Sequence, residues 1–263
     1  MLYRHTSRAF DGDPEQGGYN QFMTTIKEFN AVLQSLDERG YVLVDIHDVA
    51  GPQQQADGSR TKYVAGDIYL PAGKTPIVMS QDDARHDEYM TDSDGDGRPD
   101  KGGDGFASRL LVQNGKLTCE YVDADGQTRY GSYDLVPLLD DFLDQHPDFS
   151  YRGARAIIAV TGYQGAFGYR ISSDYKAKLG DEAFAQACKD AREVADALRA
   201  EGYTIASHSY GHTDLRRHFA RASGRRRAEV ERSDRGRHRR DRRVALPLRQ
   251  RHCRHRGLQG REV

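Results

Sequence analysis

Apolar positions from Tyr19 to Gly40 recur every three or four residues. Phe22, Ile26, Phe29, Leu33 and Leu36 form one stripe and Gly40 stands at a stop position, so the spacing predicts a helix that packs on a sheet. The pattern then changes abruptly. Tyr41-Val-Leu-Val-Asp-Ile is short and β-branched and ends in polar His47-Asp48, which predicts a buried strand. After a polar loop rich in Gln and Gly, Pro76-Ile-Val-Met-Ser predicts a second buried strand, running directly into Gln81-Asp82-Asp83. Arg109-Leu-Leu-Val and Leu117-Thr-Cys-Glu-Tyr-Val, joined through Asn114-Gly115, predict a hairpin. A short helix is expected over 135–143, and residues 84–150 read as an insertion. Ala156-Ile-Ile-Ala-Val-Thr-Gly predicts another buried strand, Asp181 to Ala200 an Ala-rich amphipathic helix, and Tyr203-Thr-Ile-Ala-Ser-His a strand ending in histidine. Strand alternating with helix is the rhythm of an α/β fold, which gathers polar groups at the C-terminal edge of a parallel sheet.

Composition supports a real core, with 37% hydrophobic residues in 263 positions, 15 Tyr and 9 Phe. No run of about 18 apolar residues appears, so no membrane span is expected. The start of the chain, Met-Leu-Tyr-Arg-His, lacks the apolar stretch of a signal peptide. Cys119, Cys188 and Cys253 are widely spaced and odd in number, which suggests isolated thiols. A formal net charge of −1 hides an asymmetry. Residues 1–215 hold 21 Lys and Arg against 35 Asp and Glu, a net of −14, whereas residues 216–263 hold 18 Arg, no Lys and 5 acids, a net of +13. The division is therefore a folded part over 1–215 and an Arg-rich tail over 216–263.

Chemistry concentrates where the expected strands end. His208 and His212, in His-Ser-Tyr-Gly-His, converge on one cation if the chain turns there, and two imidazoles with one carboxylate make an open site for Zn²⁺ or a similar divalent metal. Such a site leaves positions for water and a substrate oxygen, and a neighbouring carboxylate serves as general base. Taken singly, the histidine pair and the acid pair Asp82-Asp83 are each more often surface or capping groups. Placed together at the ends of core strands, they favour a site.

These residues resemble the polysaccharide deacetylases with a NodB-homology domain, whose first motif is a strand ending in Asp-Asp and whose second is His-Ser/Thr-x-x-x-His. Here they stand as Ile77-Val-Met-Ser-Gln-Asp82-Asp83 and Ile205-Ala-Ser-His208-Ser-Tyr-Gly-His212. The strand over 154–162 and the approach Glu201-Gly-Tyr-Thr-Ile-Ala-Ser-His are also similar, and the likeness covers roughly residues 20–215. The resemblance implies an α/β fold, an incomplete (β/α) barrel of the polysaccharide deacetylase type with a hairpin-containing insertion. It also implies Asp82 as catalytic base and Asp83, His208 and His212 as ligands of a divalent metal, expected to be zinc. The implied reaction removes acetyl groups from an N-acetylated polysaccharide, by attack of water on the amide carbonyl. The family often works outside the cytoplasm. Gln81 departs from it, standing where an aromatic is common, and the insertion separates the two motifs. Its later motifs, an Arg-containing loop, an Asp-Trp segment and a late histidine acid, are missing, and the chain has no Trp. His218, His238, His252 and His255 lie among Arg-rich sequence and receive no role.

Asp92-Ser-Asp-Gly-Asp-Gly-Arg-Pro-Asp100 places Asp92, Asp94, Asp96 and Asp100 as the opening of a calcium loop, but Gly103 occupies the place of the closing Glu; a solvated acidic turn is the favoured reading. In the Arg-rich tail, Lys vanishes and strand and helix patterning ends together with the family's motifs. That combination reads as sequence translated out of the original frame, expected to be disordered, rather than as a solvated charge run or a nucleic-acid-binding arm. The function expected is amide hydrolysis on a glycan, impaired in this form. The rivals are a metal- or glycan-binding remnant without turnover and, less favoured, nucleic-acid binding through the tail.

Overall fold

The computed structural model describes residues 2–4, 6–10, 12, 16–53, 62–84, 86–91 and 103–210. The acidic segment Asp92 to Asp100, His212 and the Arg-rich tail lie outside the described residues. The chain is mixed α/β. It begins with β1 (Leu2–Tyr3), α1 (Thr6–Ala9), α2 (Gln16–Phe22), β2 (Thr24–Thr25), α3 (Ile26–Glu38), β3 (Tyr41–Leu43) and α4 (Ile46–Val49). Next come β4 (Ala50–Gln53), β5 (Lys62–Ala65), β6 (Thr75–Ile77), β7 (Ser80–Gln81), β8 (Arg109–Gln113), β9 (Lys116–Val122) and β10 (Thr128–Gly131). It continues through α5 (Leu135–Gln145), β11 (Ile157–Val160), α6 (Ser173–Leu179), α7 (Asp181–Ala200) and β12 (Thr204–Ser207).

The parallel strands position the site. β11 lies between β7 and β12, parallel to both, and β3 pairs in parallel with β6. Only Val78-Met79 separates β6 from β7, so one extended run pairs first with β3 and then with β11. The backbone N–H groups of Val44 and Ile157 reach it at the Ile77 and Met79 carbonyls, at 2.9 and 2.8 Å. Because the strands run the same way, Asp82, Thr161 and His208 all leave the sheet at one edge. Among the described residues these strands form no closed barrel. No described helix is long and apolar enough to cross a membrane.

Three expectations change. The strand read over Tyr41 to Ile46 stops at Leu43, and Ile46–Val49 turns helical where Asp45 accepts from the His47 N–H at 2.7 Å. The helix read over Tyr19 to Gly40 is two helices, interrupted at Thr24-Thr25. The Thr25 hydroxyl accepts from the Glu28 N–H at 3.0 Å while the Glu28 carboxylate accepts from the Thr25 N–H at 2.9 Å, a reciprocal cap that restarts the helix. Phe22 consequently leaves the stripe and is exposed, while Phe29 and Leu33 stay buried. The strand expected to be buried around Pro76 is instead broken and partly open, with Pro76 and Ser80 exposed and Gln81 buried.

Residues 84–150 contribute to the main core. β8, β9 and β10 form an antiparallel meander, turned at Asn114-Gly115 with φ of 53° and 76°, the left-handed pair that a two-residue hairpin demands. Leu110, Leu117, Leu139 and Leu143 are buried in the same cluster as Ile158, Val160, Val194 and Leu198, and α7 packs on β8, β9 and β12. Gly168 seals the contact. A Cβ there would meet the Ser108 carbonyl at 2.3 Å, so only glycine lets the loop after β11 lie on β8. The Cys119 and Cys188 side chains are buried in this cluster.

At the opposite edge of the sheet, α5 meets the start of β12. Asp140 accepts from Arg155 Nε and from the Tyr203 hydroxyl, both at 2.9 Å, and Glu201 shares this cluster. Desolvation, then the Asp140 charge and a hydrogen bond with it, push the Glu201 carboxyl from 4.5 up to about 7. A carboxyl raised by folding favours the fold while protonated. Its contribution is complete below pH 4.5 and is lost as pH rises through about 7. Glu201→Gln is therefore expected to flatten the fall in stability between pH 5 and 8, read by denaturant unfolding at both pH values. Parallel losses in both proteins would reject this assignment.

Candidate active site

The acid pair is delivered by an exception to strand geometry. Consecutive side chains of a strand point to opposite faces, so Asp82 and Asp83 would ordinarily diverge. Asp83 instead adopts φ 55°, a left-handed conformation that costs a non-glycine residue roughly 1–2 kcal/mol. The turn brings both carboxylates to one histidine. His208 Nε2 lies 3.5 Å from Asp82 Oδ2, and His208 Nδ1 lies 3.7 Å from Asp83 Oδ1. His86 (φ 52°) and Ser209 (φ 66°) are also left-handed, so three such residues cluster at this edge, as happens where function holds a backbone away from its minimum.

His208 is aimed by register. Val160 and Ser207 are paired across β11 and β12, and the His208 N–H donates to the Val160 carbonyl at 3.0 Å. The same ladder ends at Thr161, whose hydroxyl donates to Asp83 Oδ1. Asp82 keeps 62% of its side chain exposed, against 27% for Asp83 and 32% for His208. The open acid suits proton exchange with substrate or water, and the recessed one suits ligation. Tyr163 and Tyr210, each about half exposed, meet edge to face with centroids 5.9 Å apart, two positions beyond Thr161 and His208.

Donor chemistry at Asp83 and His208 fits a divalent cation. Two ligands at about 2.0–2.2 Å from a tetrahedral metal stand about 3.4 Å apart, close to the separations of His208 from the acids. Among the described residues no group of three His, Cys, Asp or Glu surrounds one point, and the third expected ligand, His212, lies outside them. Asp92, Asp94, Asp96 and Asp100, the possible calcium ligands, lie outside them as well.

The sequence pattern alone does not reveal what lies beneath the acid pair. Gln81 (6% exposed), His86 (2%) and Asp134 (4%) are buried together. Gln81 Nε2 reaches the two Asp134 oxygens at 3.0 and 2.9 Å, and the Leu2 N–H donates to Asp134 Oδ1 at 3.0 Å. His86 Nε2 faces Asp134 Oδ2 at 3.3 Å. Desolvation would raise the Asp134 carboxyl, but the His86 ring, the amino-terminal charge and the Gln81 amide together outweigh it and hold it down to about 2. Thr161 was within reach of a sequence reading, as the polar end of an apolar strand. Asp134 carried no comparable signal. No family model, no curated protein and no solved structure matches this chain.

Proposed function

We propose that the chain carries the metal-site part of a polysaccharide-deacetylase-type domain, an incomplete (β/α) barrel, and that its chemistry is removal of N-acetyl groups from a polysaccharide by amide hydrolysis. The observation that carries the reading is the convergence of Asp82, Asp83 and His208, from distant stretches of sequence, at one edge of the parallel strands. Asp83, His208 and His212 would hold a divalent cation, with zinc the expected metal. When bound, the cation supplies Lewis acidity toward the amide carbonyl and toward water. Asp82 takes the proton of the attacking water and passes it to the departing nitrogen, Thr161 fixes Asp83 through its hydroxyl, and the C–N bond breaks to give acetate and the sugar amine. Tyr163 and Tyr210 supply aromatic surface at the rim, as ligand sites commonly do.

The test is zinc binding by equilibrium dialysis, with acetate release from an N-acetylglucosamine polymer as the second readout. One equivalent of zinc and slow, chelator-sensitive acetate release are expected; no zinc above background would overturn the reading. A second reading, a metal- or glycan-binding remnant without turnover, is favoured by the missing Arg loop and late histidine. Zinc and glycan binding without acetate release would select it. Nucleic-acid binding through the tail would appear as salt-dependent retention of DNA without any need for metal.

A further inference from the structure

Asp134 stands at the N-cap of α5, yet its side chain makes no capping bond to that helix. An aspartate at this position ordinarily accepts from the first turn of its own helix. This one turns away, and its partners lie on both sides of the acid pair: Gln81 immediately before Asp82, and His86 three residues after Asp83. Between those anchors the chain carries Asp83 in a left-handed conformation, and His86 is itself left-handed. Backbone held off its minimum persists only where its surroundings over-determine it. Thr161 supplies one restraint from β11. The Asp134 carboxylate supplies another, held in turn by its Leu2 contact, beside the Ala84 backbone bonds with Ala159 and Phe167 and the Arg170 guanidinium on the His86 carbonyl.

Resting on the reading of Asp83 and His208 as metal ligands, we propose that Asp134 is a positioning residue: through Gln81 and His86 it clamps the turn that presents Asp82 and Asp83. Gln81 is then not a loose departure but one half of a pair. Its partner comes from residues 84–150, so that segment helps to build the site. Losing the Gln81 amide would leave the buried Asp134 carboxylate with the Leu2 N–H and His86 alone, so a change at one position is felt at the other.

The pair is tested by a cycle of Gln81→Glu alone and Gln81→Glu with Asp134→Asn. The single change sets two buried carboxylates face to face, whereas the double change restores an amide against a carboxylate with donor and acceptor exchanged. Two measurements are made on the full chain: hydrogen exchange of residues 81–91 compared with α7, and zinc affinity. For Gln81→Glu, exchange in 81–91 is expected to quicken at least about tenfold with α7 unchanged, and zinc affinity to fall about 10–100-fold, the usual cost of a lost outer partner. The double variant restores the Gln81 arm but leaves only one oxygen for Leu2 and His86, so it should recover at least about threefold of each loss, a rescue that a merely structural role does not require. Failure of Gln81→Glu to fold, with folding restored in the double variant, supports the pair equally. Unchanged exchange in 81–91, equal loosening of α7, or absence of rescue overturns it. A parent chain that binds no zinc overturns the metal reading alone, and the exchange data still decide the clamp.

Discussion

His208→Ala and Asp83→Ala are each expected to lower zinc affinity by at least about 100-fold, beyond the 10–100-fold typical of an outer partner. In the proposed site each would remove a direct donor, and the donors that remain would hold the ion poorly. Asp82→Asn should stay within about tenfold of the parent in affinity while slowing acetate release about 10²–10⁴-fold, the usual contribution of a general base. The contrast is a sharp test because Asp82 stands slightly nearer to His208 than Asp83 does, at 3.5 against 3.7 Å. What separates the two acids is the Thr161 hydroxyl on Asp83 and the greater exposure of Asp82. Metal lost from Asp82→Asn and kept by Asp83→Ala would exchange their roles.

Leu139→Ala should destabilise the whole folded part by about 2–5 kcal/mol, as large-to-small changes in a packed core do. Leu139 is fully buried on α5, in a cluster shared with β11 and α7. For a folded part of this size the melting midpoint should drop on the order of 5–15 °C, in one cooperative transition. Two transitions, with only the first shifted, would show that residues 84–150 unfold as a separate unit.

The apolar runs made the central strands legible. Tyr41-Val-Leu, Ile157-Ile-Ala-Val and Thr204-Ile-Ala-Ser each alternate or cluster as buried strands do, and the last two end in polar residues at the edge where the acids and His208 meet. The Asn114-Gly115 turn was equally plain, since few dipeptides tolerate two positive φ angles. What escaped had local reasons. Thr25 and Glu28 spell a capping box, but Phe22, Ile26 and Phe29 carry the helical spacing across it. Strand β10 escaped because Thr128, Arg129 and Tyr130 are all exposed and show no alternation. Asp134 and Gln81 find each other only through the fold, and a pairing of that range leaves no periodic trace in one sequence.

The two buried cysteines make the fold its own reporter. Burial pushes the Cys119 thiol well above its ordinary value, and its side chain is wholly enclosed where β9 meets the core. Alkylation needs both the thiolate and access, so the native chain should resist it at this position. A reagent reaches Cys119 only when the meander opens, and Cys188 only when α7 lifts from the core. Mass spectrometry of the two labelled peptides would then time those openings separately in unmutated protein, giving each a local free energy of its own.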